Sequence, residues 1–314
     1  MNVIYDLNTL ETTLERPVIT IGNFDGVHRG HLALFEKVKE RAHALHGRSV
    51  LMTFEPHPIR LMKPEKPIPL ITPIRQKLEL IGKAGIEYIF CVPFTREFAA
   101  ITAKDFVLDI LVGKIGVKEV VVGYDYTFGR QRKGNVEFLE EMGDKWGFRL
   151  HIIGPIHVDQ ALVSSTTIRG LVQDGRLSEA KALLGRDYQI SGTVVRGQNR
   201  GRRLLGIPTA NLNLIDELIP KRGVYAVTVD IDGKACNGVT NIGYNPTFGD
   251  SALTVETHLL DFSEDLLGKT IKVNFIQRLR DEVSFDSIQD LSDQIKRDIQ
   301  QARALLEVYE AERR

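Results

Sequence analysis

Cysteine is almost absent: Cys91 and Cys236 are the only two in 314 residues. So few exclude a disulfide framework, and strand-like sequence flanks both, which fits a reducing compartment. Excess charge of one sign is absent too, with Lys+Arg and Asp+Glu at 41 each and no long block of either. A general nucleic-acid surface is therefore not expected. No apolar run reaches membrane-spanning length, and the first residues lack a basic–apolar–small leader pattern, so the expectation is a cytoplasmic protein with no membrane partner. Neither an internal repeat nor a low-complexity tract occurs. What remains is ordinary globular composition, 43% hydrophobic and 26% charged, over a length that exceeds one core and predicts two domains.

The most informative stretch is Val18-Ile-Thr-Ile-Gly-Asn-Phe-Asp-Gly-Val-His-Arg-Gly-His31. A β-branched run reads as a strand, breaks at Gly22, turns at Asp25-Gly26 and enters a helical pattern carrying Leu32, Leu34, Phe35, Val38, Ala42 and Leu45. His28-x-Gly30-His31 thus falls where a strand hands over to a helix N-terminus, and free N–H groups with the macrodipole favour phosphate there. Two imidazoles donate to phosphate oxygens without the bulk of lysine, and Gly30 permits a close backbone approach. Without further support, the same residues read as two histidines in an ordinary βα loop, one of them a cap.

Through the first half, strand and helix alternate. Val50–Phe54 reads as a strand running into Glu55-Pro-His-Pro58. Thr72 reads as an N-cap with Pro73 at the first helical position. Ile86–Phe94, Val117–Val122 and Phe148–Ile153 read as strands, and Phe106–Val112 as helix. Such alternation predicts a mostly parallel sheet with helices on both faces, and ligands bind beyond the carboxyl ends of its strands. Asn23-Phe24-Asp25, Glu55-Pro-His57 and Gly123-Tyr-Asp125-Tyr-Thr-Phe128-Gly129 all fall at such ends. Ser164-Ser165-Thr166-Thr-Ile-Arg169 reads as a helix start. It is either a capped helix with a surface arginine or, beside the histidines, a clamp of hydroxyls and guanidinium for a triphosphate.

Near residue 185 the pattern changes. Leu171–Leu184 predicts two short helices joined through Asp174-Gly175. Strands then follow at Tyr188–Val195, Val224–Ile231, Ala235–Ile242, Thr254–Leu260 and Ile271–Phe275, with an Asp232-Gly233 hairpin turn and a helix over Ser287–Val308. Strands followed by a helix predict a small antiparallel barrel or sandwich. The basic, glycine-rich Arg196–Gly206, which includes Gly201, Arg202 and Gly206, leads into Ile207-Pro208-Thr209-Ala-Asn211. Thr209 and Asn211 offer neutral oxygens to a nucleotide-bound Mg²⁺, yet read alone Gly-x-Pro-Thr is a turn. Glu256 sits in strand-like Val255-Glu-Thr-His258, where a glutamate is ordinarily solvated.

The whole chain resembles the bacterial bifunctional riboflavin kinase/FAD synthetase family. In the first half the resemblance rests on Gly22–His31, Thr53–Pro58, Gly123–Gly129 and Ser164–Arg169. In the second it rests on Gly206–Asn211, Gly223–Tyr225, Asn241–Gly243, Val255–His258 and Leu279–Glu282, in matching order and spacing. Two positions depart from the family pattern: Asn245, where arginine is expected, and Leu267, where tyrosine is expected.

The resemblance implies a Rossmann-like α/β adenylyltransferase domain over 1–184, then an antiparallel β-barrel kinase domain with a C-terminal helix over 185–314. It implies ATP and Mg²⁺, with riboflavin, FMN and FAD as small-molecule substrates and products. By analogy Glu256 is the base of a kinase step, and Thr209 and Asn211 hold Mg²⁺ and phosphates. Gly201, Arg202, Gly206, Pro208 and Arg280 join that nucleotide and flavin site. His28, His31, Ser164, Ser165, Thr166 and Arg169 steady phosphate charge in adenylyl transfer, and Asn23, Phe24, Asp25, Gly30, His57, Asp125 and Phe128 are nucleotide- or flavin-side contacts. The alternatives are an adenylyltransferase joined to a non-catalytic flavin-binding barrel and a non-catalytic flavin-binding regulator. Oligomeric state has no local signature.

Overall fold

The computed structural model describes residues 1–9, 14–66, 68–197, 207–215, 217–244 and 253–312. The chain forms two compact units, Met1–Ser165 and Thr166–Arg314.

The first unit is built on a six-stranded parallel sheet of β1 (Asn2–Ile4), β2 (Val18–Ile21), β3 (Ser49–Glu55), β4 (Tyr88–Pro93), β5 (Glu119–Gly123) and β6 (Arg149–Ile153). Their spatial order is β1-β4-β3-β2-β5-β6, and every pairing is parallel. Central strands with helices on both faces bury both their sides, which is why β2 is apolar or Thr throughout and wholly buried. One core layer gathers Phe35, Val38 and Ala42 of α1 (Arg29–Ala44) against Val18, Leu51, Ile89 and Val121. The other packs Phe106, Val107, Ile110 and Leu111 with Phe128, Leu139 and Met142 against the opposite side chains of the same strands.

From β2 the chain crosses by α1 to β3 on one side, whereas from β5 it crosses to β6 on the other. The order therefore switches direction between β2 and β5, and a ligand crevice in such a sheet opens beyond their carboxyl ends. That edge carries the loops with Asn23 and His28, with His57, and with Asp125. α2 (Pro58–Met62) and α3 (Ile74–Lys83) follow β3.

In the second unit β9 (Tyr188–Val195), β10 (Ala210–Asn213), β11 (Gly223–Ile231), β12 (Lys234–Tyr244), β13 (Leu253–Leu259) and β14 (Thr270–Arg280) close into an antiparallel barrel in the order β10-β13-β12-β11-β14-β9. Tyr188, Tyr225 and Phe275 fill it, and buried Thr240 and Thr257 share a 2.9 Å hydroxyl contact. The helix Ile288–Ala311 lays Ala302 and Leu306 on Val224, Ala226 and Val239 outside the barrel.

The expected fold class holds in both halves: a helix-covered parallel sheet, then an antiparallel barrel with a C-terminal helix. Asp232 and Gly233 take φ of 49° and 86°, as the tight hairpin turn demands. Four short strands escaped the sequence pattern: β1, β10, and the hairpin β7 (His157–Val158) with β8 (Ala161–Leu162). Phe106–Ile115 is helical as expected but wound as a π-helix. Thr72 is not the cap of α3. Pro73 holds the N-cap position and makes no side-chain cap bond, because Thr72 is engaged with the Asp25 turn.

Candidate active sites

β2 ends at Ile21, and after Gly22 the next four residues fold into a pinned turn. Asp25, 3% exposed, accepts the Thr72 N–H at 3.0 Å and the Ile71 N–H at 3.3 Å. The Thr72 hydroxyl in turn accepts the Gly26 N–H at 2.9 Å. Ser165 Oγ donates to the Asp25 carbonyl at 2.8 Å, so that serine also braces the turn. Asp25 acts here as a structural anchor holding the chain that delivers His28.

His28 is the N-cap of α1. Its Nδ1 accepts the His31 N–H at 3.3 Å, and His31 Nδ1 faces the His28 N–H at 3.4 Å, a reciprocal capping box. The rings stack with centroids 3.5 Å apart and planes inclined 17°. Both Nδ1 atoms are thus turned to backbone N–H groups, which fixes the orientation of the two rings at the helix start. Phe24, buried in the core, supports His31 edge-on at 5.2 Å and Phe35 at 5.1 Å. A Cβ on Gly30 would stand 3.2 Å from His28 Cε1 and Nδ1. The missing side chain at Gly30 thus makes room for the stacked His28 ring, a nearer demand than close approach to a ligand.

His57, at the end of the β3 loop, caps α2 by accepting the Ile59 N–H at 3.3 Å. Asp125 is exposed beyond β5, with Oδ1 lying over Gly123. Phe128 is buried in an aromatic cluster with Tyr126, Phe106 and Phe138. Burial pushes the Tyr126 phenol far above its ordinary value. Ser164 and Ser165 close the first unit, and the helix Ser165–Gln173 carries an exposed Thr166 and a half-buried Arg169 into the second.

One residue the sequence reading passed over sits beneath these loops. Lys77 of α3 is 4% exposed, and its ammonium donates to the carbonyls of Asn23 at 3.1 Å and Phe54 at 3.4 Å. The Asn23 carbonyl also accepts the Thr53 hydroxyl at 3.2 Å. Burial lowers the Lys77 pKa, while the charges of Glu55, Cys91 and Asp25 oppose that shift. Its sequence signal was a lysine on the apolar side of a helix, four residues before buried Ile81.

The barrel assembles the second cluster. Asn211 of β10 pairs with Glu256 of β13, and Glu256 pairs with Asn241 of β12. Directly opposed residues share a face, so the three polar side chains form a row outside the barrel. Thr209 Oγ1 reaches Glu256 Oε2 at 3.5 Å. His258 Nδ1 donates to the Pro208 carbonyl at 2.8 Å and fixes the approach to β10. Gly197 packs on the Asn211 amide, where a Cβ would come within 2.1 Å of Nδ2. The Thr209 hydroxyl and the Asn211 amide oxygen are neutral donors that suit a hard divalent cation retaining its own water and phosphate ligands, beside the Glu256 carboxylate. The donor set therefore fits Mg²⁺. Asn241 was not singled out, because only the strand register reveals that it faces Glu256.

Arg280 has another engagement. Its Nε and Nη2 bond the Asp298 carboxylate at 2.7–3.0 Å, and Nη1 donates to the Asp281 carbonyl at 2.9 Å. Leu267 lies exposed on the turn before Gly268. Gly201, Arg202, Gly206 and Asn245 fall outside the described residues.

Comparison with known proteins separates the same two halves. A family described as FAD synthetase matches residues 10–167, and one described as riboflavin kinase matches residues 184–306. Proteins named bifunctional riboflavin kinase/FMN adenylyltransferase from Escherichia coli (strain K12) and Pseudomonas fluorescens are each 39% identical. The first aligns over 94% of this chain and 95% of that protein, the second over 97% and 98%. A crystal structure described as a macrolide-efflux protein from Streptococcus pneumoniae superposes with TM-score 0.86 at 32% identity, covering 96% of this chain and 98% of that one. Among the described residues of this chain, no helix is long and apolar enough to cross a membrane.

Proposed function

The chain belongs to the bifunctional riboflavin kinase/FMN adenylyltransferase family, and from that premise we propose that it makes FMN and then FAD at two separate sites. Residues 185–314 transfer the γ-phosphoryl group of ATP to the ribityl 5′-hydroxyl of riboflavin, giving FMN and ADP. Residues 1–184 transfer AMP from a second ATP to the FMN phosphate, giving FAD and pyrophosphate. The observation that carries the reading is the reciprocal His28–His31 cap at the mouth of a parallel sheet, in one chain with a Thr209–Asn211–Glu256 oxygen cluster on a barrel.

In the kinase step Glu256 accepts the hydroxyl proton as the 5′-oxygen attacks. Thr209 and Asn211 are the residues that would hold Mg²⁺, which screens phosphate charge when bound. Phosphoryl transfer demands mainly positioning, and the fixed register β10–β13–β12 supplies it. For Arg280 a role in anchoring the C-terminal helix replaces direct ligand contact, on the strength of its bonds to Asp298.

In the adenylyl step the FMN phosphate is already an anion, so no strong base is required. His28 and His31 donate to phosphate oxygens at the α1 N-terminus, where the helix dipole adds to the attraction. Charge growing on the departing pyrophosphate is what such preorganised donors stabilise. Ser164 adds a hydroxyl to the phosphate contacts, while Asn23, His57 and Asp125 line the flavin or nucleotide side. Phe24, Asp25, Gly30, Ser165 and Phe128 shape the loops that present them. The protein works in the cytoplasm on small molecules, without nucleic acid.

Incubating the protein with riboflavin, ATP and Mg²⁺, and separating flavins over time, tests the reading. FMN should appear first and FAD follow. FMN that accumulates without FAD, or FAD formed only from added FMN, would refute the two-activity reading.

A further inference from the structure

Lysine is seldom buried without a carboxylate partner, because removing an ammonium from water is costly. Lys77 is nevertheless 4% exposed, and its hydrogen bonds run to two main-chain carbonyls, Asn23 O at 3.1 Å and Phe54 O at 3.4 Å. Those carbonyls stand at the carboxyl ends of adjacent parallel strands, one beyond Ile21 of β2 and one at the penultimate residue of β3. The loop after the first leads within five residues to His28, and the segment after the second leads within three to His57. A methionine at this place on α3 would fill the space without the desolvation cost.

We propose that Lys77 is a positioning residue for adenylyl transfer: its ammonium ties the Asn23 loop to the end of β3 and sets the relative placement of the segments bearing His28 and His57. The inference rests on the adenylyltransferase reading of the first unit. Charged donors make hydrogen bonds roughly twice as strong as neutral ones, so the tie is firmest while Lys77 is protonated. The titratable groups facing it are Glu55 of β3, Cys91 of β4 and Asp25 of the loop after β2. Burial dominates and lowers its pKa, so protonation is lost at lower pH than for an ordinary lysine.

The test compares Lys77→Met and Lys77→Arg in the full chain, with FMN and ATP as substrates. Lys77→Met should lower kcat for FAD formation about tenfold or more, change either KM less than threefold, and leave riboflavin phosphorylation as it was. Lys77→Arg should keep most of the activity and extend the alkaline limb of the pH–rate profile upward, since guanidinium does not deprotonate there. Lys77→Met within twofold of the parent kcat would overturn the inference. If that variant does not fold, an alkaline limb unmoved in Lys77→Arg overturns it, and an extended limb supports it. A parent protein that makes no FAD from FMN would instead sink the adenylyltransferase reading itself.

Discussion

Replacing Asp298 by Ala should unfasten the C-terminal helix from the barrel. The carboxylate is 4% exposed and accepts Arg280 Nε at 2.9 Å, Arg280 Nη2 at 2.7 Å and Gln294 Nε2 at 2.8 Å. Its removal leaves Nε and Nη2 of a guanidinium that is only 20% exposed without their carboxylate. Deleting one partner of a buried pair costs about 3–5 kcal/mol. For a domain of roughly 150 residues each kcal/mol moves Tm by about 2–4 °C, so the second unit should melt about 6–20 °C lower. Trp146 is the only tryptophan and lies in the first unit. Its fluorescence transition should stay in place while the calorimetric transition of the barrel moves. The double variant Arg280→Met with Asp298→Leu should recover most of the loss, because an apolar pair carries no desolvation cost. A barrel transition within 1 °C of the parent would refute the anchoring role. So would lost kinase activity in an Asp298→Ala protein that melts normally, which would return Arg280 to the ligand.

Two further outcomes follow from the same geometry. Glu256→Gln should cut riboflavin phosphorylation by about 10²–10⁴-fold while FMN added directly is still converted to FAD; equal loss of both activities would contradict separate sites. Glu119 is held below the ordinary glutamate value of 4.5, chiefly by the Arg41 hydrogen bond and then by His151. A depressed carboxylate contributes stability above its unfolded pKa and loses it as pH falls through the folded one. The first unit should therefore lose stability below about pH 4.5 more steeply in the parent than in Glu119→Gln, as read from urea midpoints followed by Trp146 fluorescence. Parallel slopes would show that the Arg41–Glu119–His151 cluster is not a source of acid sensitivity.

Much of the fold was legible because the chemistry is local. β2, the broken turn and the start of α1 are written in one run of fourteen residues, and the apolar stripe of α1 agrees with its cap. The barrel showed through alternation in β9 and β13 and through the Asp232-Gly233 turn. Four-residue β10 did not, since Ala-Asn-Leu-Asn becomes a strand only by lying between β9 and β13. Contacts were legible where a residue's partner is near in sequence, as for the helix-start cap of His28 and His31. They were hidden where the partner is remote. Thr72 looks like a helix cap until Asp25, 47 residues earlier, claims its N–H. The bond from Arg280 to Asp298, 18 residues on and in another element, has no signal in the sequence. Lys77 drew no notice until two strand-end carbonyls met it.

The central claim is that adenylyl transfer depends on the His28–His31 cap and riboflavin phosphorylation does not. Flavin chromatography of His31→Ala incubated with riboflavin, ATP and Mg²⁺ tests it most directly. The account predicts FMN formed at the parent rate and FAD formation slowed by about 10²–10³-fold, the usual consequence of removing one preorganised donor. FAD appearing at the parent rate, or FMN formation failing together with FAD in a protein that melts as the parent does, would contradict it.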